Sequence, residues 1–204
     1  MKTDKKINSK RSNWKFDKNV ANSFDDHVKK SVPFYEISHE VIAGLSDFFL
    51  KENSVCYDLG SSTGILLDKL HKRHQGKKIK FIGLDNSLPM VKKAKKKFKK
   101  IKFLQGDVSK IKIKKNDLTL SLYTLQFIPP KKRQLLVNKI YNSLEWGGAF
   151  VLFEKIRGSD ARFQDILNFL YFDFKAKNGL SPSEILNKEI SLRGVMEPYT
   201  INAN

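Results

Sequence analysis

Only one cysteine, Cys56, occurs in the chain, so no internal disulfide can form. It stands in an apolar run with no histidine near it, which reads as core and excludes a cysteine-based zinc site. The four histidines, His27, His39, His71 and His74, lack metalloprotease or zinc-finger spacing, and no metal is expected. No apolar run approaches the ~20 residues that span a bilayer. The basic N-terminus, MKTDKKINSKRSNWKFDKN, lacks the apolar core of a secretory signal. These absences lead to the expectation of a cytoplasmic protein without membrane contact.

Acids are scarce as well. Twenty-one Asp plus Glu against 39 Lys plus Arg leave a formal charge of +18, a balance that suits a polyanionic partner. Residues 92–102, KKAKKKFKKIK, hold eight lysines with Ala94, Phe98 and Ile101 as apolar spacing, the pattern of a solvent-facing helix. No nucleic-acid motif or interleaved aromatic platform accompanies them, so a basic face is expected rather than a dedicated groove.

Glycine is sparse where a phosphate site would need it most. Residues 57–64 read YDLGSSTG: Gly60 and Gly64 enclose Ser61, Ser62 and Thr63, and Ile65 follows. A P-loop needs lysine there and is excluded, while a dinucleotide fingerprint lacks its central glycine. What remains is a strand-to-helix turn preceded by an acid, Asp58, either a site for a ligand without phosphate or a plain βα turn.

What the chain does contain is strand alternating with helix. Apolar runs at 54–59, 80–84, 101–105, 118–123 and 148–153 read as strands, and LLDKLHKR, PMVKKAKKKFKK and KKRQLLVNKIYNSL as amphipathic helices between them. That order predicts an α/β fold with a doubly wound, mostly parallel sheet. One domain over 1–204 is expected: a helical cover at 1–52, a parallel core at 53–155 and a helical segment at 156–204. The helix VPFYEISHEVIAGLSDFFL is the candidate cover over the carboxyl ends of the strands. Trp146-Gly147-Gly148 reads as a turn before the fifth strand. In the last segment an aromatic helix ends at Gly179, and Ser181 with Glu184 forms a capping box. LNFLYFDF in that helix is either a subunit contact or core.

The candidate binding residues follow strand ends. Asp85-Asn86-Ser87 closes the second strand, about 25 residues after Gly60, where an acid takes ribose hydroxyls; Asp85 is alternatively a helix cap or turn residue. Gly106-Asp107-Val108 closes the third, as a nucleoside contact or a turn. Gln126 is the polar member of LYTLQFIPP after the fourth.

With Asp58, Gly60, Asp85 and Asp107 in this order, the chain resembles class I S-adenosylmethionine-dependent methyltransferases, a Rossmann-like three-layer sandwich. WKFDKNVANSFDDHVKKSVPFY, YDLGSSTG, DNSLPM, TLQFIPPKKRQLLVNKIY, GGAFVLFEK and FDFKAKNGLSPSEI narrow the resemblance to the carboxy-S-adenosylmethionine synthase family, also labelled tRNA wobble-uridine methyltransferase. The resemblance implies an enzyme that turns S-adenosylmethionine and prephenate into carboxy-S-adenosylmethionine, which a partner enzyme then uses on the tRNA wobble uridine. It implies a homodimer, and cofactor contacts from Tyr35, Asp58, Gly60, Ser61, Ser62, Asp85, Asn86, Asp107 and Val108. It names no general base.

This chain departs from the family pattern in three places. Leu122 replaces an asparagine, and Ser121 beside it faces the other side of the strand. Glu189 stands where an arginine pairs with the extra carboxylate of the carboxylated cofactor. Arg193, four residues on and so one helical turn away, is the expected substitute. Beyond MEPYTINAN the family continues, so a sheet lacking the closing helix and antiparallel strand pair is expected. Glu189 keeps open an ordinary methyltransferase using S-adenosylmethionine itself, and the charge a non-catalytic, basic, tRNA-associated protein.

Overall fold

Five short apolar runs become five strands because each alternates its side chains between two helix-covered faces. The computed structural model describes residues 14–203. The strands are β1 (Val55–Leu59), β2 (Lys80–Asp85), β3 (Lys102–Gln105), β4 (Asn116–Leu122) and β5 (Leu144–Phe153). All pair in parallel, in the order β3-β2-β1-β4-β5. The strand order reverses beside β1, which brings the ends of β1 and β4 to the crevice where ligands of such sheets bind. Among the described residues the sheet ends at β5, with no antiparallel pair.

Helices α1 (Lys18–Ser31), α2 (Tyr35–Phe49), α3 (Ile65–Arg73), α4 (Leu88–Lys97), α5 (Pro130–Ser143), α6 (Ala161–Lys177) and α7 (Pro182–Leu192) complete the chain. The described residues fall into two units: Glu36–Glu154, and the residues up to Tyr35 together with those from Lys155 on.

In the first unit the sheet is the middle of three layers. Cys56, Phe81, Phe103, Leu118 and Leu120 point to one face, where they meet Ile42 and Ala43 of α2, Leu66, Leu67 and Leu70 of α3, and Val91 and Ala94 of α4. Tyr57, Leu59 and Leu84 point to the other, with Leu136 and Ile140 of α5. Leu67, Leu70 and Leu120 are at 0% exposure, and each such side chain contributes roughly 1.5–3 kcal/mol. Cys56 is core as expected, its thiol pKa raised by burial.

α2 packs along α3 rather than lying across the strand ends. Ser46 meets His74 at 2.8 Å, Asp47 accepts from Arg73 Nε at 2.8 Å, and Glu40 pairs with Lys69. Only its first turn reaches the carboxyl edge, where Ser38 bonds the Tyr123 hydroxyl.

One local expectation fails. Trp146-Gly147-Gly148 is not a turn but lies inside β5, which starts at Leu144 opposite Asn116 and carries a bulge there. Gly148 is required at that bulge, since a Cβ would lie 2.9 Å from the Asp117 carbonyl oxygen. The expected helix ahead of the sheet is α2, and a further helix precedes it: α1 is capped by the Asp17 carboxylate on the Val20 amide, and Phe34 at φ 60 breaks the chain before α2.

In the second unit α1, α6 and α7 associate. Trp14 N–H donates to Ser191 O at 3.2 Å, and Lys188 reaches His27 and Ser31. α7 opens with the expected capping box of Ser181 and Glu184. α6 does not use its aromatic face as core: Phe169 is 73% exposed and Leu170 60%, and among its residues only Lys175 is buried.

Candidate functional site

The YDLGSSTG loop joins β1 to α3 through an alternation of unusual backbone. Gly60 and Gly64 both have φ +82, and Ser62 has φ 53. The amides of Gly60 and Ser61 donate to Leu84 O at 2.7 and 3.0 Å, which ties the loop to the end of β2. Gly60 has no room for a side chain: a Cβ would lie 1.9 Å from Thr124 Oγ1. The glycine thus brings the turn after β4 against the loop.

Asp58 is 3% exposed at the carboxyl end of β1. Burial first, and the charge of Asp85 second, push its pKa up to about 7. Asp85, more accessible, accepts from the Ser62 amide with Oδ2 and from the Ser87 amide with Oδ1, both at 2.8 Å. Its pKa is raised by burial, against the pull of those two bonds. The cap of α4 is not Asp85 but Ser87, whose hydroxyl takes the Met90 amide. Asp85 is therefore the residue that fixes the loop to β2. Each carboxylate oxygen still has capacity for a further donor.

Two buried hydroxyls in this loop, Ser61 Oγ and Ser62 Oγ, have no hydrogen-bond partner. A buried polar atom left unpaired costs about 1–3 kcal/mol, so a loop that keeps two of them is suited to a ligand bearing polar groups. An adenosyl amino acid fits this donor and acceptor set: its ammonium suits the carboxylates, and its hydroxyls and carboxyl suit the serines. A phosphate does not, because Asp58 and Asp85 would repel it.

The adjoining strand ends bring in further candidates. The Gly106 amide donates to Asp85 O at 2.9 Å, so Asp107 and Val108 follow directly on the same edge. Asp107 is held in a turn: its Oδ1 takes the Ser109 amide at 2.9 Å and the Ser109 hydroxyl at 2.7 Å, and these bonds lower its pKa. Val108 is buried against the α5 face, and Asn86 is exposed with its carbonyl bonded to Gln105.

Sequence reasoning missed Glu154. It follows β5 and accepts from three successive amides, Thr124 at 3.0 Å, Leu125 at 2.8 Å and Gln126 at 3.1 Å. Burial pushes its pKa up to about 7 in spite of these bonds. Arg133 holds the same turn from the other side, donating to Ile128 O at 2.8 Å and Gln126 O at 3.3 Å. Between them they fix a turn in which Tyr123 takes φ 52, a conformation that a bulky residue holds only when its surroundings impose it. An acid immediately after GGAFVLF was the available signal.

The remaining candidates belong to the second unit. Tyr35 is partly buried at the start of α2. Arg193 is not on the helical face expected of it: α7 ends at Leu192, Arg193 is the cap with extended backbone (ψ 122), and Gly194 follows at φ 72. Glu189 is bound to Lys175 Nζ at 2.8 Å, and Lys175 lies 3.7 Å from the centre of the Tyr171 ring. Burial works to raise the Glu189 pKa, but Lys175 together with the charges of Lys155 and Lys188 holds it below the usual range. No group of three or more His, Cys, Asp or Glu able to hold a metal occurs among the described residues.

A sequence model of a methyltransferase domain matches residues 56–148. Carboxy-S-adenosyl-L-methionine synthase of Staphylococcus epidermidis is 39% identical over 197 residues, covering 94% of this chain and 85% of that protein. The protein of the same name from Nautilia profundicola is 36% identical, covering 94% and 82%. Among solved structures, a putative S-adenosyl-L-methionine-dependent methyltransferase of Methanococcus maripaludis superposes with a TM-score of 0.56 at 25% identity, over 88% of this chain and 84% of that one. A putative methyltransferase of Haloferax volcanii, in complex with the Trm112 activator, shares the fold with a TM-score of 0.58 at 19% identity, over 90% and 70%. Sequence similarity at 36–39% identity across nearly the whole length, on the methyltransferase-type sheet described above, places this chain in the carboxy-S-adenosyl-L-methionine synthase family.

Proposed function

We propose that Asp58, Gly60, Ser61, Ser62, Asp85 and Asn86 hold S-adenosylmethionine, with Asp107 and Val108 toward its adenine, and that the protein converts it to carboxy-S-adenosylmethionine. The observation that carries this reading is the pair of buried, unpartnered serine hydroxyls beside Asp58 and Asp85. The cofactor supplies a methyl carbon already activated by the sulfonium. The chain's own part is position and charge: Asp85 fixes the loop, Glu154 fixes the facing turn, and the carboxylates favour a cation. No residue is assigned as a general base.

In this reading prephenate is the carboxyl donor. Tyr35 closes over the ligand and Arg193 serves its extra carboxylate. The product passes to a second enzyme that modifies the tRNA wobble uridine, so the reaction itself needs no tRNA. Exposed Phe169 and Leu170 on α6 support a homodimer built on that helix. No helix among the described residues is long and apolar enough to cross a membrane, and the cytoplasm is the proposed location.

One residue favours a second reading, an ordinary methyltransferase. Glu189 offers no donor to an extra carboxylate. Its charge is offset by Lys175 and Lys155, however, so it does not bring the unbalanced negative charge that would repel one. Denaturing the purified protein and weighing the released nucleoside separates the readings. Carboxy-S-adenosylmethionine supports the synthase, S-adenosylmethionine or its demethylated product supports the methyltransferase, and a folded sample that binds no adenosyl compound overturns both.

A further inference from the structure

The positive charge is not spread along the chain. Residues 86–116 contain twelve lysines and one acid, Asp107, so they carry eleven of the eighteen net charges. A general preference for lysine would enrich the whole chain; a concentration of this kind marks a surface.

Parallel pairing decides where that surface lies. All strands start at one edge, so the segments leading into them are brought side by side. Lys77 and Lys78 lead into β2, Lys99 and Lys100 into β3, and Lys114 and Lys115 into β4, all six exposed. Lys77 Nζ donates to Leu50 O at 3.2 Å and Lys115 Nζ to Leu144 O at 3.0 Å, which sets both at this amino-end rim. It is the edge opposite the candidate cofactor loop.

The same rim carries aromatic rings, which the linear sequence keeps far from the lysines. α5 runs back to this edge and ends near Tyr141, 77% exposed, and β5 starts there at Leu144 with Trp146, 104% exposed, as its third residue. A fully exposed indole beside rows of ammonium groups is the composition that takes phosphates and unpaired bases together. It does not suit insertion into a bilayer: of the apolar residues of α4, Met90, Val91 and Ala94 are at 1%, 1% and 0% exposure in the core, and the exposed one, Leu88, is in the first turn of the helix, next to the carboxyl end of β2 and away from the rim.

We propose that the amino-end rim of the sheet docks folded RNA with unpaired bases, the lysines taking phosphates and Trp146 and Tyr141 stacking on bases. This does not depend on which form of the cofactor is bound. Because the rim lies opposite the cofactor loop, RNA and cofactor bind without competing.

The test measures binding of unfractionated tRNA to the full chain by fluorescence anisotropy across a salt series. Lys78→Glu, Lys100→Glu and Lys114→Glu combined should weaken binding at least tenfold and make the slope of log affinity against log salt shallower by about three. Trp146→Ala should weaken it about five- to tenfold and hardly alter the slope. Lys18→Glu, Arg162→Glu and Lys177→Glu combined, an equal charge change on exposed positions of the other unit, should cost less than threefold. Binding of S-adenosylmethionine should be unchanged in every variant, which also reports folding. Glutamine at the three rim positions gives the same ranking with less perturbation. The proposal is overturned if both triple variants lose affinity equally, if duplex DNA of similar length binds as tightly as tRNA, or if phosphatidylglycerol vesicles bind and tRNA does not.

Discussion

The two ends of one sheet solve opposite problems. At the carboxyl ends, acids and hydroxyls are buried: Asp58 is 3% exposed and the Ser61 and Ser62 hydroxyls lack partners. At the amino ends lysines stay exposed, Lys77 and Lys115 reaching backbone carbonyls, and they outnumber the acids of that edge, Glu52, Asp117 and Glu145. Burying an unpaired polar group destabilises the ligand-free fold, whereas a solvated ammonium costs little. The carboxyl end thus bears a stability cost that a ligand can relieve, while the amino end keeps its charge in water, available to a large partner.

Breaking the backbone contacts of the carboxyl end should have the largest effect. Gly60→Ala combines φ +82 with a Cβ 1.9 Å from Thr124 Oγ1, and should cost roughly 3–5 kcal/mol in urea unfolding with loss of cofactor binding. Glu154→Ala strands three amides of the Thr124 turn, at roughly 2–4 kcal/mol by the same measurement.

A gentler change sharpens the contrast. Ser61→Ala with Ser62→Ala removes the unpaired hydroxyls, so the ligand-free protein should gain about 1 kcal/mol in thermal unfolding while affinity for S-adenosylmethionine falls roughly tenfold. Loss of both stability and affinity would mean that the hydroxyls are structural. On the lysine-rich helix between the two ends the effect should be smallest: Lys92→Glu, one turn before Lys95 and Lys96 on α4, replaces like-charge repulsion with attraction and should stabilise the fold by about 0.5 kcal/mol.

These positions also divide what the letters reveal from what they hide. Strand alternation, the glycine loop and the placing of Asp58 and Asp85 at strand ends are local patterns, and the parallel sheet follows from them. Trp146-Gly147-Gly148 was misread because glycine pairs signal turns locally, while pairing with β4 draws them into a strand. α1 was not recognised because KNVANSFDDHVKKS carries few apolar residues, and its start rests on the Asp17 cap. Arg193 was assigned to a helix that stops one residue earlier, with Gly194 as the overlooked stop signal. The role of Glu154 depends on a turn about thirty residues away in sequence, a contact that no local pattern encodes.

The central claim is that the buried carboxyl end receives a cation. With burial and the charge of Asp85 pushing its pKa up to about 7, Asp58 holds its proton well above the ordinary carboxylate range in the ligand-free protein. Because its folded pKa is raised, Asp58 favours folding below the ordinary carboxylate range, and this contribution is lost as pH rises through about 7. A cationic ligand beside it favours the ionised form and expels the proton. Calorimetric titration of S-adenosylmethionine at pH 7, in buffers of different ionisation enthalpy, measures this directly. The account predicts net proton release on ligand binding, abolished in Asp58→Asn; binding with no proton release, or with the same release in the variant, would contradict it.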